Sequence, residues 1–236
     1  MIVKLNMLKY TEIKEYLRNK DSLLIPIGTC EQHGPHLPLC TDTIVAERMC
    51  DEMSNKYGIL VAPTVNYGVN LPLDNKIMTG TTGITYEILK ETLKSITEYW
   101  KVQGFKHFFV VSCHGDIFHI KALDDLSNSV EVIETYEVEQ KDILEKQVCT
   151  RHACESETSV MLYLYPEMVD MSVAMDFDIP IDNFMPYLEH KKDKPIEGYV
   201  GNVGYSTLAT KEKGKIIYER MLENLENIIE EYESSD

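Results

Sequence analysis

Four short apolar runs alternate with segments of helical periodicity, and this alternation restricts the possible folds more than any other feature of the chain. Residues 23–27, 58–63, 108–112 and 130–136 are rich in Val, Ile, Leu and Phe and have the length of buried strands. Helical stretches lie at about 43–56, 85–103, 117–126, 155–165 and 213–232, with a first one at 10–18. The 85–103 segment sets Ile88, Leu89, Leu93, Ile96 and Trp100 at helical spacing, a stripe suited to a core. Strands and helices in this order predict an α/β fold with a mostly parallel sheet covered on both faces. Right-handed crossovers then bring the strands' carboxyl ends to one edge, where open sheets bind ligands. Residues 176–205 show no regular pattern, and the glycine-rich loop 66–83 is long enough to suggest a functional role. With 236 residues and no dividing linker, the chain predicts a single domain over 1–236.

Chemistry-bearing residues gather just past two of these strand ends. Gly28 stops the first run, and Glu31-Gln32-His33-Gly34-Pro35-His36 follows, with Asp42 between two threonines ahead of the next helix. Glu31 and His33 are two apart, so in extended chain they point the same way. The third run ends in Ser112-Cys113-His114-Gly115-Asp116, a second histidine–carboxylate pair at the same spacing. A third cluster is Arg151-His152-Ala153-Cys154-Glu155-Ser156-Glu157. His152 and Glu155 share a helix face if that helix starts early; otherwise Ser156 or Thr158 serves near the helix start and the glutamates sit at the positive end of the dipole.

Imidazole and carboxylate groups without thiolate suit Zn, Mn or Fe(II). Asp42, lying between two ligand groups, is placed to bridge two ions, which would turn a shared water into a nucleophile near neutral pH. The expected chemistry is hydrolysis of an amide-type C–N bond, with His152 protonating the departing nitrogen or holding the oxyanion.

At these residues the chain resembles the creatininase-type amidohydrolases. The run from Glu31 to Pro38 with Thr41-Asp42-Thr43 is similar to their N-terminal signature. Tyr67-Gly68, Gly80-Thr81, His114-Gly115, His152-Ala153-x-Glu155-x-Glu157-Thr158-Ser159, Gly201-x-x-Gly204 and Ala209-Thr210-x-x-x-Gly214 follow in the family's order. The resemblance implies a three-layer α/β/α fold, two divalent metal ions (Zn, Mn or Fe(II)), hydrolysis of cyclic or linear amides, and a homo-oligomer, commonly a hexamer. Carried over, Glu31, His33, Asp42 and His114 are ligands and His152 is the catalytic histidine, with Glu155 beside it. The creatinine-hydrolysing branch has a glutamate ligand where this chain has Asp116, so Asp116, Glu155 or Glu157 completes the second metal position. That branch also closes its pocket with tryptophans. Here Trp100 alone is present, on a core-facing stripe, which argues against creatinine as substrate. A catalytically idle metal-binding or regulatory protein on the same fold is the alternative.

The formal net charge of −16 disfavours nucleic acid and anionic membrane as partners and leaves a small-molecule substrate. No run approaches twenty apolar residues, and no signal peptide opens the chain. The six cysteines form no Cys-x-x-Cys pair, so reduced thiols and a cytoplasmic location are expected. Cys30, Cys40, Cys113 and Cys154 read as small packed residues or site-edge thiols.

Overall fold

The apolar runs form one parallel sheet in the order β2-β1-β3-β4, built from β1 (Ser22–Ile27), β2 (Leu60–Val61), β3 (His107–Ser112) and β4 (Val130–Glu134). This is seen in a computed structural model that describes residues 3–71, 79–126, 130–192 and 196–235; positions 72–78 of the glycine-rich loop lie outside them. By its internal contacts the chain resolves into two units, each assembled from three stretches of sequence. The first comprises residues 1–29, 42–70 and 83–134, and the second residues 30–41, 71–82 and 135–236.

The first unit holds the sheet with α1 (Tyr10–Tyr16), α2 (Thr41–Tyr57), α3 (Tyr86–Gln103) and α4 (Ile117–Asp124), α2 entering it at Asp42. Alternation along the strands decides its layers. Leu23, Ile25 and Ile27 of β1 and Phe108 and Val110 of β3 join Leu89 and Leu93 of α3 and Ala122 and Leu123 of α4 in one buried cluster. The intervening Leu24, Phe109 and Val111 are equally buried, so the sheet is covered on both faces, giving the three-layer α/β/α architecture. Each such side chain removed from water contributes about 1.5–3 kcal/mol before entropy is counted. Trp100 is half-buried and packs on Phe108 with ring centroids 6.3 Å apart, against that cluster, while Ile88 of the same predicted stripe is exposed. Thr85 caps α3 through its side chain, and Gly104 ends it at φ 115°.

Register sets up the site. Ile27, the last residue of β1, lies opposite Ser112, the last of β3. The segments following the two strands therefore leave the sheet from adjacent points on one edge.

In the second unit α5 (Glu155–Leu164) packs along α7 (Lys211–Ser235), close enough that a side chain at Gly214 would collide with the Ser159 carbonyl. Residues 176–205, without visible pattern in the sequence, contain an antiparallel pair, β5 (Asp176–Phe177) with β6 (Gly204–Tyr205), and α6 (Ile181–Leu188). Two-residue strands are too short to show a period, and Pro186 inside α6 masks its helical signal. Phe184 of α6 packs with Tyr199 and Val203 in a small separate core.

Candidate metal centre

The loop carrying Glu31 and His33 is pinned by its own backbone. Glu31 N–H donates to the Leu39 carbonyl at 3.1 Å and Gln32 N–H to Thr81 Oγ1 at 2.9 Å. Gly34 turns the chain at φ 64° and donates to the Gly201 carbonyl at 2.7 Å. A side chain at Gly34 would also crowd the His36 ring. Glu31 and His33 are both buried. His33 Nδ1 lies 3.0 Å from the Glu31 carbonyl, which can only accept, so the proton sits on Nδ1 and Nε2 keeps its lone pair. Glu31, His33 and His152 each offer a ligand atom within 4.8 Å of the others, and His33 and Glu157 satisfy the same limit.

His152 precedes α5 rather than belonging to it. Its backbone pairs with Val203, and its Nε2–H donates to the Gln32 carbonyl at 2.9 Å, 3.9 Å from Glu31 Oε1. The His33 and His152 rings stand 4.6 Å apart. Ala153 follows at φ 46°, a left-handed conformation costly for a residue with a Cβ. Glu157 accepts its N–H and Ser206 Oγ donates to its carbonyl, so the strained turn presenting His152 is held from both sides. The His152 side chain is 18% exposed against 3% for Glu31, making it the member of this group that can meet a ligand from outside.

Glu155 is placed elsewhere. It is fully buried and pairs with Lys213 Nζ at 2.6 Å, while both its oxygens accept from Glu145 N–H at 3.2 Å. Because α5 begins at Glu155, the expected shared helix face with His152 does not form; Cys154 stands at the N-cap without a side-chain hydrogen bond, and neither Ser156 nor Thr158 caps the helix.

In the first unit Asp42 opens α2, and Thr29 Oγ1 donates to its Oδ2 at 2.7 Å. His114 Nδ1 lies 3.3 Å from the same oxygen. His114 Nε2 is 2.8 Å from the Val69 carbonyl, so the proton is on Nε2 and a lone pair on Nδ1 faces the Asp42 carboxylate. Two electron pairs directed into one buried space fit a divalent cation, and a main-chain carbonyl fixing the far ring nitrogen is the usual support of a metal-binding histidine. Asp116 instead caps α4, its Oδ1 accepting from Phe118 N–H at 2.9 Å and His119 N–H at 3.0 Å. Among the described residues, neither Asp116 nor Glu155 joins a group able to hold a metal.

Two further histidines support these side chains, and the sequence alone assigned them no role. His119 is buried edge-on against His114 at 4.9 Å, accepts from Val69 N–H and sits 3.4 Å from Ser112 Oγ. Burial first, then His114, holds its pKa well below the ordinary value. A side chain at Gly68 would collide with its ring, which accounts for the glycine of Tyr67-Gly68. His36 Nε2 lies 2.8 Å from Thr158 Oγ1; burial, then His33 and His152, lower its pKa to about 4. Thr158 is buried on α5. The available signal was an imidazole three residues into a helix whose first residues follow a strand end, and a second histidine inside the Glu31 motif.

All six cysteines are free; Cys50, Cys113 and Cys154 are buried. Burial, then Glu157, pushes the Cys154 thiol up to about 11, which makes it a packed residue and not a nucleophile. Among the described residues no helix is long and apolar enough to cross a membrane.

Known proteins resemble the chain along nearly its whole length. A 3-dehydro-scyllo-inosose hydrolase from Thermotoga maritima is 28% identical over 92% of this chain and 79% of its own. A creatinine amidohydrolase from Pseudomonas putida is 24% identical over 89% of this chain and 88% of its own. Solved creatininases share the fold: a Zn–Zn form superposes with a TM-score of 0.77 at 22% identity, covering 98% of both chains. A Mn form gives the same score at 21% identity, covering 98% of this chain and 99% of that one. The family model described as creatininase, creatinine amidohydrolase, matches residues 6–229, and the chain belongs to that family.

Proposed function

We propose that the protein is a metal-dependent amidohydrolase that cleaves a C–N amide bond in a cyclic amide, formamide or peptide-like small molecule, acting as one catalytic domain over 1–236. Glu31, His33, Asp42, His114 and Glu157 would hold two divalent ions (Zn, Mn or Fe(II)), with Asp42 as the ligand common to both. The observation carrying this reading is geometric: one ring nitrogen of His33 and one of His114 lie within hydrogen-bond distance of a main-chain carbonyl, and each imidazole also lies beside a buried acid. Bound ions of this kind supply Lewis acidity and bring the pKa of water toward 7. The chain's own residues do the rest. Main-chain carbonyls orient His33 and His114, and His152, the least buried of the three imidazoles, exchanges a proton with the departing nitrogen. Glu155 is a positioning residue: its ion pair with Lys213 fixes the start of α5, from which Glu157 projects. Asp116 serves as a helix cap.

Trp100, packed against the core beside Phe108, favours a substrate other than creatinine. The six free cysteines support a cytoplasmic location, and the family resemblance supports a homo-oligomer, a hexamer. The test is to load the purified protein with Zn or Mn and offer formamides, cyclic ureides, creatinine, short peptides and 3-dehydro-scyllo-inosose, reading products by mass. Turnover of an amide, abolished in His152→Ala with metal retained, is the expected result. Opening of the inosose alone would overturn the C–N assignment, and no turnover at all would leave the idle metal-binding reading.

A further inference from the structure

Tyr199 has no place in the site described so far, yet its surroundings are built around it. The residue is 6% exposed, and its ring packs with Phe184 and Val203 and meets Phe177 edge-on at 5.6 Å. Its hydroxyl has no hydrogen-bond partner among the described residues. A buried donor left unmet is normally removed by replacement with phenylalanine at little cost.

The chain just after Tyr199 is fastened to the candidate centre at two points. Gly198 and Gly201, at φ 77° and 95°, bend the chain on either side of Tyr199; Gly201 accepts from Gly34 N–H, and a side chain at Gly201 would run into Gln32. Two residues on, Val203 N–H donates to the His152 carbonyl at 2.7 Å. The chain that follows Tyr199 is therefore tied to the motif of Glu31 and His33 through Gly201 and to His152 through Val203. Burial first, then the negative charge of Glu31, pushes the Tyr199 phenol up, so it remains a neutral O–H donor at any working pH.

Resting on the amidohydrolase reading above, we infer that Tyr199 is a further substrate-contacting residue, whose hydroxyl donates a hydrogen bond to the carbonyl oxygen of an amide held beside Glu31 and His152. A fixed donor to an oxygen that gains negative charge during attack would strengthen as the reaction proceeds, as oxyanion-stabilising donors do.

The test compares wild type with Tyr199→Phe, which keeps the ring and deletes only the hydroxyl. Acetohydroxamate, a carbonyl compound that binds divalent metals, serves as probe in calorimetric titrations of the Zn-loaded proteins, alongside metal content and melting temperature. Expected are unchanged metal stoichiometry, unchanged or higher melting temperature, hydroxamate affinity at least tenfold weaker, and kcat reduced roughly 100-fold on any amide the wild type turns over. Equal affinity in the two proteins would overturn the proposal, as would weaker affinity accompanied by lost metal, which would make Tyr199 a support of the ligands. A wild type that binds hydroxamate but cleaves no amide would sink the hydrolase reading separately, with the affinity ratio still deciding Tyr199.

Discussion

Asp116 caps a helix although its position in the sequence suggests a ligand. Two residues past His114, Asp116 has the spacing of a ligand, but the residue that ends a strand–helix loop is also the one best placed to cap the helix, and its Oδ1 does so. Spacing alone could not separate those roles, whereas the burial of Glu31, His33, Asp42 and His114 was foreshadowed by their places just past strand ends and at a helix start. Asp116→Ala is expected to lower stability by about 1 kcal/mol with both ions retained, and Asp116→Asn to restore most of it. Glu157→Gln should release one ion; elemental analysis showing the opposite pattern would return Asp116 to the ligand set. His36 gives a pH effect of definite sign. Its folded pKa of about 4 lies below the ordinary 6.5, so the unfolded chain takes up the proton first as pH falls. In metal-stripped protein, stability should be complete above about pH 6.5 and decline toward pH 4, by roughly 3 kcal/mol at most. His36→Gln should flatten that slope in urea melts across the range.

At the scale of elements, the sheet was readable because every residue of β1 is buried, which leaves a continuous apolar run that only a strand between two layers produces. The start of α5 was not. His152 and Glu155 fit a helical spacing, but the left-handed Ala153 breaks the helix between them, and no residue type announces that turn. What holds it lies far along the chain, in Ser206 and in Lys213, which joins Glu155, Glu145 and the Leu208 carbonyl. Lys213→Met would strand the buried Glu155 charge and should cost about 3–5 kcal/mol, read as a lower urea midpoint with unchanged slope. Adding Glu155→Gln should recover much of that loss; a single variant with wild-type stability would show the pair to be dispensable.

For the molecule as a whole, each unit draws on three separate stretches of chain, so neither is a length of sequence that could be cut out. Calorimetry should accordingly show one unfolding transition with equal calorimetric and van't Hoff enthalpies; two resolved transitions would contradict the single-domain reading. Light scattering should return a multiple of the 27.1 kDa chain mass. The carbonyls of Glu31 and Val69 that aim His33 and His114 carry one more consequence. Because main chain sets the angle of each imidazole, neither ring depends on a bound ion for its orientation, so stripping and reloading divalent ions should leave the fold intact, read as an unchanged circular dichroism spectrum.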